Sequence, residues 1–321
     1  MKQVTFTSCL ADAMGNFFAL RQLSGTDYRS QALLLARFDR FLAGEGFVGA
    51  CPDAGAGQRY LATAVGLAPR PRANLLCVLR QFCLELAMAA SQCCVPEPER
   101  GICSADAHVP HIYSDAEIRA ILKGALGLGP PGSIRPQTFH TLFGLLWSSG
   151  LRIGEAMALD LRDACADSMR LHIRNGKFRK ARWVPLSEST GDVLRNYINL
   201  RCGMFPPTDR SALFVNVRGD RLRHSSVYVA FHDVLAAARI PKTATNGPRI
   251  HDFRHTFAVR RVLLWYAQDL DVNALLPSLA TYMGHVGITS TQVYLNGAAA
   301  LLGPVGERFH DHFAKNIHGR A

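Results

Sequence analysis

The sequence predicts a mostly α fold in two domains. A helical first domain is followed by an α+β domain that adds a small antiparallel sheet to its helices. Three observations carry this expectation. Apolar residues recur three and four apart through most of the chain, the period of a buried helix face. The segment 168–186 instead alternates about an Asn-Gly pair, the strongest short signal for a β-hairpin. A proline-bearing stretch without periodicity, 95–112, separates the two regions. The chain has 321 residues, and at about 150 residues per domain two domains are expected. We place them at 1–104 and 114–321, with a linker at 105–113.

In the first domain, helices are expected at about 10–23, 28–43, 57–65 and 73–92. The second of these is apolar at Leu33, Leu34, Phe38, Phe41 and Leu42, and Gly44 and Gly46 suit a helix end. The fourth carries Leu76, Val78, Leu79, Phe82, Leu84, Leu86 and Met88. Prolines at 69 and 71 are expected to break the chain just before it. Beyond the linker, Ser114 with Glu117 three residues on is a capping box, opening a helix to about residue 126. The Gly/Pro run 127–136 reads as a loop, and a helix at 137–149 is closed by Gly150. The hairpin pairs MRLHIR with FRKARWVPL across Asn175 and Gly176. A helix capped by Thr190 is expected at 190–201, then a strand at 212–217 and a helix at 225–238. Pro248 precedes a helix that starts near His251 and buries Phe253, Phe257, Val262 and Leu263. Another helix, 275–283, ends at Gly284. Thr289, Ser290 and Thr291 offer a cap for a helix that carries Tyr294, and the tail is apolar at 298–302.

Hydrophobic content of 48% with 19% charged residues fits a folded core. The formal charge of +11 is uneven: residues 1–110 hold 10 basic and 9 acidic side chains, residues 111–321 hold 26 and 16. A positive field confined to one region points to a polyanionic partner. Nine cysteines without a CxxC pair, behind an N-terminus with no long apolar run, read as reduced thiols. Cys83, Cys94, Cys103, His108 and His111 are too irregularly spaced for a structural zinc site, and no metal is expected. The apolar run 262–267 is far short of the ~20 residues that span a bilayer. A soluble cytoplasmic protein with no membrane association is expected.

The candidate chemistry concentrates in 251–294, HDFRHTFAVRRVLLWYAQDLDVNALLPSLATYMGHVGITSTQVY. His251 and Arg254, three apart, share one helix face. The forked N–H donors of arginine match two phosphate oxygens. His285 follows Gly284, and Tyr294 lies nine residues beyond it. A tyrosine hydroxyl set against a phosphate is a candidate nucleophile.

Four blocks together resemble the tyrosine recombinases, the phage-integrase-like enzymes of DNA strand transfer. They are SSGLRIGEAMALD at 148–160, GKFRKARWVPL at 176–186, HDFRH at 251–255 and YMGHVGITSTQVY at 282–294. They occur in the family's order over the last two thirds of the chain. The resemblance implies a catalytic set of Arg152, Lys177, His251, Arg254, His285 and Tyr294, with Glu155 and His255 in support. Lys180 is the alternative to Lys177. Arg179, Lys180 and Arg182 on the hairpin, and Arg221 and Arg223 ahead of the helix at 225–238, are candidate DNA contacts.

The resemblance further implies a helical core-binding domain that clasps DNA opposite the catalytic domain. Its partners would be double-stranded DNA with paired recombination sites and three further copies of the chain, a homotetramer whose C-terminal tails dock in neighbouring protomers. In the implied chemistry Tyr294 forms a 3′-phosphotyrosine link that conserves the energy of the phosphodiester. Neither ATP nor a metal cofactor is therefore expected. The expected function is site-specific recombination or integration for a mobile element. A type IB topoisomerase, a chromosome-dimer resolvase and a non-catalytic DNA-binding regulator are the alternatives.

Overall fold

In the computed structural model, residues 4–24, 28–89, 93–97, 110–165, 169–174, 181–208, 211–241 and 247–284 are described. The chain divides into two units, Met1–Ala107 and His108–Ala321. Among the described residues no helix is long and apolar enough to cross a membrane.

The first unit is built from α1 (Ala11–Leu23), α2 (Arg29–Gly44), α3 (Ala54–Thr63) and α4 (Pro69–Ala89). Their apolar faces meet in a core that includes Met14, Phe17, Leu35, Phe38, Leu42, Leu79 and Phe82. Asp39, fully buried on α2, accepts from the backbone N–H of Thr7 at 2.7 Å and of Ser8 at 2.9 Å, tying the leading segment to the bundle. α4 starts earlier than the sequence suggested. Pro69 and Pro71 sit in its first turn, where a missing N–H costs nothing because that donor has no helical partner.

The second unit contains α5 (Asp115–Leu126), α6 (Arg135–Ser149), α7 (Ile153–Ala158), β1 (Ala164–Cys165), β2 (Arg170–Ile173), β3 (Arg182–Pro185), α8 (Glu188–Met204), α9 (His224–Ala237), α10 (Asp252–Ala267) and α11 (Val272–Met283). The sheet is antiparallel in the order β1-β2-β3. Leu171 pairs with Val184 across β2 and β3, and both point into the main core beside Leu142, Phe143, Leu146, Phe231 and Phe253. The rings of Phe143, Phe231 and Phe253 stand 5.7–5.9 Å apart pairwise. A second cluster, with Phe257, Val259, Val262, Leu276 and Met283, joins α10 to α11.

The capping box at Ser114 forms as expected. Three elements differ from the sequence reading. α8 begins before Thr190, because Ser187 is its cap and its Oγ accepts from the Thr190 N–H at 3.3 Å. Residues 212–217 do not form a strand. They make isolated bridges, Asp160 with Ala212 and Val215 with Arg221, and the apolar run there reflects burial of 212–215 in the core. β1, only two residues long, was not expected, since two residues carry no periodicity. The turn expected at Asn175-Gly176 and the segment from 285 onward, with its helix and tail, lie outside the described residues.

Candidate active site

The site is organised by two helix ends whose left-handed backbone favours glycine. Gly150 closes α6 at φ +62°, and a Cβ there would sit 2.8 Å from Cγ of Phe257. Gly284 closes α11 at φ +68°. Both conformations are left-handed, which side chains resist and glycine does not. The last carbonyls of a helix lack intrahelical donors and lie at the negative end of its dipole. In this unit arginines supply the donors.

Arg152, two residues beyond Gly150, is the cap of α7. Its Nη1 donates to Met283 O at 3.3 Å and its Nη2 to Gly284 O at 3.1 Å. Arg254 lies in the first turn of α10 and is 1% exposed. Its Nη1 donates to Gly150 O at 2.8 Å and its Nη2 to Met283 O at 2.7 Å. One carbonyl oxygen, that of Met283, therefore holds two guanidinium groups drawn from distant parts of the chain. Glu155, one turn into α7 with its side chain 5% exposed, accepts on both oxygens. Arg152 donates from its backbone N–H at 3.1 Å and from Nη1 at 2.9 Å, and Arg182 from Nη1 at 3.1 Å and Nη2 at 2.8 Å. Burial by itself would raise the Glu155 pKa. The hydrogen bonds and charge of Arg182, then of Arg152, outweigh burial and hold the carboxyl below its usual range. Two arginines thus share one carboxylate, and with Arg254 on the Met283 carbonyl beside them the cluster carries an excess of positive charge suited to an anion.

His251 caps α10. Its ring stands 4.9 Å from that of half-buried His255, edge to face at 82°. His251 keeps an exposed edge, yet the packing around its ring strips enough water to depress its pKa. Burial is the main cause, Arg254 and Arg152 add to it, and Asp252 opposes it. The neutral imidazole, a proton acceptor, is favoured.

Of the residues singled out from the sequence, Arg152, Glu155, His251, Arg254 and His255 thus gather at one place. Lys177, Arg179, Lys180, His285 and Tyr294 lie outside the described residues. Arg223 stands exposed at the cap of α9, open to a contact with DNA. Two of the candidate DNA contacts are engaged within the protein. Arg182 does not extend to solvent: besides Glu155 it holds Tyr282 O through Nε at 2.9 Å. Arg221, its side chain still 40% exposed, donates to Met157 O at 2.7 Å and Leu159 O at 3.0 Å at the end of α7 and pairs with buried Asp160. In each case a buried carboxylate and carbonyls at a helix end accept from the guanidinium. A signal for Arg182 was present in the sequence. It lies two residues before Val184 on one strand, hence on the same, core-facing side. Trp183, between them, faces out, 52% exposed, and stacks on His172 at 4.5 Å. The Asp160 pairing carried no such signal, because Asp160, Arg174 and Arg221 come from three separate elements.

The sequence profile of the phage integrase family matches residues 115–300. A Sinorhizobium fredii protein named as an integrase/recombinase, y4rE, is 35% identical over 306 residues, 94% of this chain and 96% of its own length. The tyrosine recombinase XerC of Chlamydia trachomatis is 30% identical over 171 residues, 53% of this chain and 50% of its own. Among solved structures, the Tn1549 transposon integrase in complex with a circular intermediate DNA has a similar fold. Its TM-score is 0.63 at 19% identity, over 90% of this chain and 95% of that one. Fold and sequence together define the class, a tyrosine-type recombinase that cuts and rejoins DNA. Within that class the chain belongs to the phage integrase family.

Proposed function

We propose that this protein is the site-specific recombinase of a mobile element and that Tyr294 is its nucleophile. The observation that carries the reading is the meeting of Arg152 and Arg254 on the Met283 carbonyl, one residue before Gly284 and two before His285. Two guanidinium groups held that close make a seat for the non-bridging oxygens of one phosphate. The Oη of Tyr294 attacks the scissile phosphorus. A new P–O bond forms, the P–O5′ bond breaks, and the product is a 3′-phosphotyrosine. The phenolic proton passes to neutral His251, and Lys177 gives a proton to the departing 5′ oxygen. Arg152 and Arg254, with His285, stabilise the charge that builds on the phosphate oxygens, the kind of contribution that is usually largest. A free tyrosine has a pKa of about 10, so the same arginines also favour the phenolate. Rejoining runs these steps backward with a 5′ hydroxyl from another strand. Glu155 orients Arg152, and His255 supports His251 by ring contact.

Likeness to a relative named as an integrase/recombinase over nearly its whole length and to the fold of a transposon integrase supports the mobile-element assignment. In this reading the helical first unit clasps duplex DNA, Arg223 contacts it from α9, and four protomers exchange their C-terminal tails on paired sites in the cytoplasm. The test is Tyr294→Phe offered a nicked suicide duplex. That variant is expected to bind the duplex as the unaltered protein does and to form no covalent adduct. An adduct recovered from it would exclude Tyr294 as the nucleophile.

A further inference from the structure

We infer that Arg182 is a positioning residue of the strand-transfer site, fixing the Arg152–Glu155 pair and the end of α11, and not a contact to the DNA backbone. The inference rests on the reading of Arg152 as a phosphate ligand.

β3 alternates, so Arg182 shares its inward side with Val184, which is fully buried. The Arg182 side chain is 14% exposed. Three of its five N–H donors are in use: two meet the two oxygens of Glu155, at 3.1 and 2.8 Å, and Nε meets Tyr282 O at 2.9 Å. A bidentate guanidinium–carboxylate pair is strong and fixed in direction. Glu155 in turn grips Arg152 at both its backbone and its side chain. The orientation of Arg152 therefore passes through a carboxylate that Arg182 holds from the other side.

The same guanidinium shapes the exit of α11. A Cβ on Gly284 would come within 3.0 Å of Arg182 Nη1, so the guanidinium occupies the space beside the last residue of the turn that ends α11. Arg152, Arg182 and Arg254 between them take the carbonyls of Tyr282, Met283 and Gly284. Without Arg182, Glu155 would keep Arg152 as its sole charged partner among these groups, and the pair would be free to tilt. Lysine cannot replace it, since one ammonium does not serve two carboxylate oxygens and a carbonyl in a plane.

The experiment measures single-turnover cleavage of a suicide duplex at saturating concentration, together with the dissociation constant as a function of salt. The proteins are the unaltered chain, Arg182→Lys, Arg182→Met and the double variant Arg182→Met/Glu155→Gln. Both single variants should cleave more slowly at saturation by on the order of 10²-fold, the usual effect of displacing a reacting group by about an ångström. Their affinity and salt slope should stay those of the parent. The double variant leaves no buried carboxylate short of a partner, while Arg152 keeps the Met283 and Gly284 carbonyls, so its melting temperature should lie above that of Arg182→Met while its cleavage rate does not recover. Two results would overturn the inference. One is parental cleavage at saturation with a salt slope reduced by about 0.9, the mark of a lost phosphate contact. The other is a double variant whose rate recovers together with its stability, which would make the role one of folding alone. Absence of an adduct from the unaltered chain would instead overturn the strand-transfer reading itself.

Discussion

A carboxylate buried between guanidinium groups loses several kcal/mol of hydration and regains it only through well-aligned donors. Glu155 has four such donors. Its carboxyl is held below the ordinary range, which fixes the sign of its pH dependence. The stabilisation is complete above the ordinary carboxylate pKa and fades as pH falls through the lower, folded value. Glu155→Gln should therefore cost about 3 kcal/mol of stability at pH 7, and chemical denaturation should show the gap narrowing only in acid. A gap that does not change with pH would mean that the charge of Glu155 is not what stabilises. His251 has the opposite chemistry and a depressed pKa, so it is neutral and able to accept a proton at pH 7. Adduct formation should decline as pH drops through that depressed value, and His251→Gln should remove this acid limb. A pH–rate profile with the limb intact in the variant would transfer the base role to another group.

At the scale of elements, the site depends on how α6 and α11 end. Gly150 is left-handed and packs against Phe257, and its carbonyl accepts from Arg254. Gly150→Ala should cost about 1–3 kcal/mol in a thermal or denaturant melt, with slower cleavage because Arg254 loses its anchor. Both glycine ends were legible in the sequence, as was the Ser114 cap, because the chemistry of a helix end is local. The helices themselves were legible from their period. Their starts were less so: Pro69 and Pro71 look like a break until the first turn is seen to tolerate them. The stretch 212–217 looked like a strand because an apolar run has the same pattern whether it pairs or is simply enclosed. For Arg182 and Arg221 the internal partners were not legible, because charge on a basic segment says nothing of direction. For Arg182 the two-residue alternation with Val184 gave that direction. For Arg221 it came from Asp160 and the end of α7, far away in the chain.

Across the whole molecule the positive charge is concentrated in residues 111–321, the region that also holds the arginine cluster. Binding to duplex DNA should therefore weaken with salt at a log–log slope of about −0.9 per phosphate contact, as fluorescence anisotropy over a salt series would measure; an affinity indifferent to salt would contradict this. Removal of the chain after residue 300 should weaken assembly on paired sites and leave single-site cleavage intact, and an unchanged tetramer on gel filtration with DNA would exclude tail exchange. The most direct measurement concerns the covalent intermediate. The unaltered chain is trapped on a nicked suicide duplex, digested with nuclease and protease, and the nucleotide-bearing peptide is sequenced by mass spectrometry. The expected result is a 3′-phosphonucleotide on Tyr294 alone. A nucleotide on any other residue, or none recovered from protein that binds the duplex, would contradict the account.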